Sequence, residues 1–170
     1  MNIDLAEFAK QELERLNLPF DLLYEIEKLY SDFRRDRAKI TTHLDPKKVL
    51  KCVIFTIARK NNYFVLLNEI CNGEDRREIY HIIQRIREYL NYPSYLNFNS
   101  EGYIKRVGEL LDLQYKDLEK VLSNINQKCQ ETPISILAKF QEYLNIDFDK
   151  LLKIRPTLTR QQINKYKNNI

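Results

Sequence analysis

The chain has 170 residues, of which 44% are hydrophobic and 31% charged, with three glycines; this composition excludes a disordered chain and favours helices. The net charge of +4 permits nucleic-acid binding but does not require it. No apolar run approaches the roughly 18 residues of a membrane-spanning helix, and the N-terminus is too acidic for a secretory or transit signal, so we expect an intracellular protein.

The first half of the sequence predicts five helices. Apolar residues recur at helical spacing, and Asp45 followed by Pro46 is typical of a helix start. The helix that begins there is apolar on most of its surface, as expected for a helix in the middle of a bundle. The predicted ranges are 3–16, about 20–40, 46–60, 63–71 and 75–90.

The second half repeats this order of helices after a short linker at residues 91–99. Thr132 followed by Pro133 is again typical of a helix start, and Arg155-Pro156 breaks the chain before the last helix. The predicted ranges are about 100–111, 115–129, 133–145, 147–154 and 159–170.

Three pairs of segments match in the same order along the two halves. LNLPFD (16–21) is similar to LDLQYK (111–116), DPKKVL (45–50) to TPISIL (132–137), and DRREIYHI (75–82) to TRQQINKY (159–166). This order predicts an internal duplication, with a first repeat at 1–92 and a shorter second repeat at 98–170. The alternative is two unrelated helical bundles with similar helix starts.

These features resemble the core of the transcription factor IIB family and its archaeal counterparts. The first repeat opens with Leu-x-Leu-Pro, the second with Tyr-Ile-x-Arg, and the last helix has the form Thr-x-x-x-Ile-x-x-Tyr-Lys. The residues that carry these motifs are Leu16, Leu18, Pro19, Tyr103, Ile104, Arg106, Thr159, Ile163, Tyr166 and Lys167.

The resemblance implies an all-α fold of two tandem cyclin-like five-helix bundles, the second ending in a helix-turn-helix. It also implies a non-enzymatic transcription initiation factor that binds promoter DNA with a TATA-binding protein and bridges to RNA polymerase. The central helix of the second repeat lacks the family's Ala-rich run. The family's N-terminal zinc ribbon is not in this sequence, which suggests a short viral or archaeal variant, an excised core, or a ribbon supplied by a partner.

Polar side chains on the last helix of each repeat are candidates for DNA binding. Gln and Asn can bond adenine through two hydrogen bonds, and Arg or Lys can contact guanine or phosphate. The alternative is an ordinary solvated helix face. The candidates are Arg160, Gln161, Gln162, Lys165 and Asn169 in the second repeat, with Arg76, Arg77 and Arg85 in the first.

A dense positive segment covers the end of the second predicted helix and the start of the third, and it is a candidate for partner binding. By resemblance, the acidic partner would be the TATA-binding protein. The alternative is that cations near a helix C-terminus only complement the helix dipole. The candidates are Arg34, Arg35, Arg37, Lys47 and Lys48.

No catalytic or metal-binding constellation is evident in the sequence. The two histidines, His43 and His81, are far apart, and the cysteines at 52, 71 and 129 form no CxxC motif, so we expect no catalytic residues, metal or cofactor. Two other functions remain open besides the transcription factor. One is a cyclin-like protein-interaction module without DNA binding, and the other is a stand-alone helix-turn-helix regulator.

Overall fold

The computed structural model describes residues 1–126 and 130–167 of the chain. All regular structure in these residues is helical, which confirms the predicted all-α fold. The chain divides into two compact units, Met1–Asn97 (unit 1) and Phe98–Ile170 (unit 2). None of the helices found in the described ranges is long and apolar enough to cross a bilayer.

Unit 1 is built around its longest helix, which starts at Asp45 and Pro46 as predicted. The Asp45 carboxylate accepts a hydrogen bond from the backbone N–H of Lys47, which caps the helix. The helices are α1 (Ile3–Arg15), α2 (Leu23–Asp36), α3 (Ala38–Thr41), α4 (Pro46–Lys60), α5 (Leu67–Cys71) and α6 (Arg76–Tyr89), with 3-10 turns at Phe20–Leu22 and Ser94–Leu96. Helix α4 packs against α1, α2, α5 and α6.

Unit 2 has its own central helix, which starts at Thr132 and Pro133. The Thr132 hydroxyl accepts a hydrogen bond from the backbone N–H of Ser135, and the Ser135 hydroxyl accepts one from the backbone N–H of Thr132. Two N–H groups that the helix start would otherwise leave without an acceptor are therefore hydrogen-bonded. The helices are α7 (Ser100–Leu110), α8 (Tyr115–Leu122), α9 (Pro133–Leu144), α10 (Phe148–Ile154) and α11 (Arg160–Lys167). Helix α9 packs against α7, α8 and α11.

The two units share their packing order and one backbone turn. If the single turn α3 is set aside, the third helix of each unit packs against the first, second and fifth. After the first helix, Asn17 and Asp112 both adopt left-handed backbone conformations, with φ of 54° and 55°. The backbone N–H of the residue that follows donates to a carbonyl of the helix at 2.8 Å in both units. Leu18 donates to Leu13, and Leu113 donates to Gly108. These matches favour a duplication, and the cyclin-like arrangement stays a prediction.

The helix predicted over 20–40 is interrupted near Arg37. The backbone of Arg37 is not helical, with φ −121° and ψ 36°, and α3 begins one residue later. The Thr41 hydroxyl donates to the carbonyl of Arg34, whose guanidinium in turn donates to the carbonyl of Thr41 at 3.2 Å. This reciprocal pair, the Arg34–Thr41 clasp, fixes the corner between α2 and α3.

Two other predicted helices are shorter than expected. Helix α5 begins at Leu67 and not near residue 63, because the Arg59 guanidinium holds the preceding segment by donating twice to the Val65 carbonyl. Helix α8 ends at Leu122, well before residue 129. Beyond it, the backbone N–H of Asn126 donates to the carboxylate of Glu131 at 2.9 Å, which takes that backbone out of a helical hydrogen-bond pattern.

Glu131 is the centre of a buried polar network that joins α9 to the segment before it. Its carboxylate accepts from Lys139 at 2.7 Å and from Ser135 at 2.6 Å, besides Asn126. Lys139 also donates to the carbonyl of Asn124. Burial by itself would raise the pKa of Glu131, but the hydrogen bonds from Lys139, Ser135 and Asn126 outweigh it, and the net pKa is lowered.

We expect Glu131→Gln to lower the free energy of unfolding of unit 2 by about 3 kcal/mol, because it leaves the Lys139 ammonium without its buried counter-charge. The lowered pKa means that this contribution is fully present above the ordinary carboxyl value of 4.5 and is lost as the pH falls below it. Urea unfolding followed by circular dichroism at neutral pH and at about pH 3 measures both effects. An identical pH dependence in the variant and the parent would contradict the assignment.

A second prediction concerns Gly108, which lets α7 and α8 pack closely. A Cβ atom at this position would lie 2.5 Å from Leu118 Cδ2 and 3.0 Å from its Cγ. We therefore expect Gly108→Ala to destabilise unit 2 by about 1–3 kcal/mol, although Ala is the better helix former. Thermal unfolding measures this loss as a lower unfolding midpoint of the variant.

The control for Gly108→Ala is a double-mutant cycle with Leu118→Ala. Because the smaller side chain removes the clash, the double variant should be less destabilised than the sum of the two single variants. Additive effects would show that the close approach of Gly108 and Leu118 does not limit packing.

Candidate nucleic-acid interface

Helix α11 carries most of the predicted base-reading residues and is fixed to unit 2 by its apolar face. Ile163 is 1% exposed, and Leu158 in the turn before the helix is also buried. The Tyr166 hydroxyl lies 3.5 Å from the Thr132 hydroxyl at the start of α9. The opposite face of the helix, with Gln161, is therefore presented to solvent.

Gln162, predicted to read bases, forms a capping box with Thr159. Its side-chain carbonyl accepts from the backbone N–H of Thr159 at 2.9 Å, while the Thr159 hydroxyl accepts from the backbone N–H of Gln162 at 3.2 Å. These bonds satisfy two donors that the helix start would otherwise leave unpaired. In this position one of the two acceptor sites of the Gln162 amide oxygen is already used, and the side chain is held against the helix start.

The remaining candidates on α11 differ in how accessible they are. The Arg160 guanidinium lies over the ring of Phe148, 4.5 Å from its centroid, and so links α11 to α10. Gln161 and Lys165 are exposed, and neither has a side-chain partner within the described ranges. Asn169 lies outside the residues that the structure describes. Arg160 is exposed as well, so in the described part of the chain Gln161 and Lys165 are the exposed candidates that no neighbouring side chain holds.

Helix α6 presents the candidates of unit 1. Its start is capped by Asp75, whose carboxylate accepts from the backbone N–H of Arg77, and Ile82 lies in its buried stripe. Arg77 and Arg85 are exposed and Arg76 is partly buried. Arg85 has a 3.9 Å contact with Glu88, and both side chains are more than half exposed, so this pair is weak.

The predicted partner-binding segment uses much of its charge within unit 1. Arg34 forms the clasp with Thr41. Arg35 lies between two carboxylates, 3.1 Å from Asp32 and 3.0 Å from Asp36. Hydrogen bonds from Tyr89 and then from Arg35 lower the pKa of Asp36.

The other three members of this segment also contact neighbours. The Arg37 guanidinium lies 5.1 Å from the centroid of the Tyr89 ring, and the Lys47 ammonium 5.3 Å from that of Phe8. Lys48 bonds to Glu78 at 2.5 Å. The density of cations in the sequence therefore overstates the positive charge available to a partner.

A surface that the sequence analysis missed lies between α3 and α6. This α3–α6 cleft has a volume of about 520 Å³ and an apolar floor formed by Ile40, Leu44 and Ile82. Its rim carries Arg77 and Arg85, with His81 between them. The spacing of four residues between the three rim residues was visible in the sequence, but Ile40 and Leu44 of the floor come from α3 and the segment after it.

Neither a metal centre nor a reactive thiol is evident among the described residues. No group of three or more potential metal ligands occurs there. Cys52 and Cys71 are buried, and burial raises the pKa of both thiols, which disfavours thiolates. Cys129 lies outside the described residues.

The capping box predicts that the two neighbouring glutamines respond differently to substitution. Thr159→Ala removes the cap and should cost about 0.5–2 kcal/mol of stability. Gln162→Ala removes the reciprocal bond and should also destabilise, whereas Gln161→Ala should stay within about 0.5 kcal/mol of the parent. Urea unfolding measures all three, and equal effects of the two glutamine substitutions would contradict the capping role.

Comparison with known proteins does not add to this geometry. No family model matches the sequence, and no curated protein matches it. The assignment of the candidate interface therefore rests on the arrangement of its residues and on the resemblance described above.

Proposed function

We propose that the protein is a DNA-binding transcription initiation factor of the transcription factor IIB type, which acts inside the cell. It would bind promoter DNA together with a TATA-binding protein and bridge to RNA polymerase. The observation that carries the proposal is the repeated unit, in which a central third helix packs against the first, second and fifth, and the fifth helix is basic in both units.

The exposed chemistry of these fifth helices suits DNA. The Gln161 amide can bond an adenine edge through two hydrogen bonds, and the neighbouring Lys165 can contact guanine or phosphate. On α6, the guanidinium groups of Arg77 and Arg85 suit phosphate oxygens. Among the described residues of these two helices only a few exposed cations lack a close side-chain partner, so binding by this chain alone should be weak and should increase when a partner already holds the DNA.

The cyclin-like protein-interaction module is the second candidate function. It is favoured by the pairing of Arg35 and Lys48 with carboxylates of unit 1 and by the use of Gln162 as a cap. Both observations reduce the charge and the polar groups available to DNA. A protein partner would instead use apolar surface as well as charge.

The experiment is a gel shift with TATA-containing DNA, with and without a recombinant TATA-binding protein. We expect weak binding by the chain alone, stronger binding with the partner, and a steep loss of affinity with salt, because Lys and Arg release counterions from the phosphates. Affinity that does not change with salt would contradict the electrostatic contribution. No binding under either condition would favour the protein-interaction module.

Substitutions separate base reading from phosphate contact. Gln161→Ala should relax sequence preference, a loss of about 1–3 kcal/mol of discrimination, and leave helicity intact. Arg77→Ala should weaken binding about equally on all sequences. The matched control is Lys10→Ala, which removes an exposed cation on α1 and should change neither the sequence preference nor the affinity for DNA. If Gln161→Ala leaves the sequence preference unaltered, α11 does not contact the bases.

A further inference from the structure

The α3–α6 cleft combines an apolar floor with a positively charged rim. Ile82 is 1% exposed, whereas Ile40 is 39% exposed and supplies accessible apolar surface. At about 520 Å³, the cleft is large enough to hold several side chains. Exposed apolar side chains of this kind gain from being covered by an apolar partner.

The wall that carries Ile40 is held in place before any partner binds. Thr41 is 1% exposed, and its hydroxyl donates to the carbonyls of Arg34 and Arg37. The Arg34 guanidinium closes the clasp at the Thr41 carbonyl. A preformed wall reduces the entropy that binding would otherwise cost.

The rim residues form one stripe along α6. Arg77, His81 and Arg85 are four residues apart, so they share a face of the helix. At 1.5 Å per residue, the two arginines are separated by about 12 Å along the helix axis. A binding partner would meet two guanidinium groups at that separation, above a strip of apolar side chains.

Two carboxylates, Asp75 and Glu78, also line the cleft, and they offset the charge of these arginines only in part. Asp75 uses its carboxylate to accept from the backbone N–H of Arg77, and Glu78 bonds to Lys48. Within the described ranges Arg77 has no ion pair, and Arg85 has only the exposed contact with Glu88 at 3.9 Å. The charge of the rim is therefore complementary to an acidic ligand.

We propose that the α3–α6 cleft binds an acidic amphipathic helix of a partner protein. Leucine or other large apolar side chains of that helix would cover Ile40 and Leu44, and its flanking carboxylates would bond to Arg77 and Arg85. Nucleic acid would use the rim but would leave the apolar floor uncovered, so the combination favours a peptide. The proposal does not depend on DNA binding.

The test uses the full chain and synthetic helical peptides of about 14 residues, with leucines on one face and glutamates on its flanks. Fluorescence anisotropy should show saturable binding. Peptides with Gln in place of Glu, or with Ser in place of Leu, should bind about tenfold more weakly or not at all, since both charge and apolar area contribute. Failure of every leucine–glutamate peptide to bind would overturn the proposal.

Variants of the chain locate the site. Ile40→Asp and the milder Ile40→Ser should weaken peptide binding about tenfold while leaving the far-ultraviolet circular dichroism spectrum and any binding to DNA unchanged. Ile3→Asp, at an apolar residue on α1 that is 87% exposed, is the matched control and should have no effect. Peptide binding that survives both Ile40 substitutions would place the peptide elsewhere and overturn the proposal.

Arg77→Ala with Arg85→Ala tests the rim. This double variant should weaken binding of the acidic peptide about tenfold and should remove the preference for Glu over Gln. If it weakens DNA binding but leaves the peptide unaffected, the arginines serve nucleic acid and the proposed peptide site is wrong. If the double variant weakens binding of both DNA and the peptide, the Ile40 variants decide whether the peptide lies in the cleft, because they should weaken peptide binding alone.

Discussion

Each unit is organised around one central helix, and in unit 1 this helix is buried on nearly all of its sides. In α4, every residue from 49 to 58 is buried, so the helix can tolerate polar groups only where they find partners. Lys51 meets Glu74 at 3.1 Å, and the Thr56 hydroxyl donates to the carbonyl of Cys52 at 2.9 Å. In unit 2 the corresponding constraint is met by Lys139 of α9, which reaches Glu131. The surrounding helices are positioned by these two central helices.

The same requirement explains why the cations near the central helices are not available to a partner. Long basic side chains near the central helices lie along apolar or aromatic neighbours and end on carboxylates or carbonyls, as Arg59 does between the rings of Phe55 and Phe64. Charges beyond the reach of these neighbours stay available. Among the candidate DNA contacts, Arg77 and Arg85 in unit 1 and Lys165 in unit 2 carry such exposed charges.

The sequence predicts those features that depend on neighbours along the chain. The starts of α4 and α9 follow from Asp45 or Thr132 before proline, and the apolar stripe of α6 follows from its spacing. The interruption at Arg37 was not predicted, because it depends on a clasp that only the folded corner forms. The capping role of Gln162 could have been found from Thr-x-x-Gln at 159–162. The α3–α6 cleft could not, since its two sides are separated by more than 30 residues.

Most helix ends in this protein are formed without glycine, and this affects the unfolded chain as much as the folded one. Seven non-glycine residues among those described have φ between 43° and 65°, and five of them are asparagines, as at Asn17 and Asn145. Asparagine tolerates this conformation with some strain, whereas glycine adopts it without strain but has far more conformational freedom to lose. The chain therefore has a smaller entropy of unfolding than one with glycine at the same positions, and part of its thermal stability originates in the denatured ensemble.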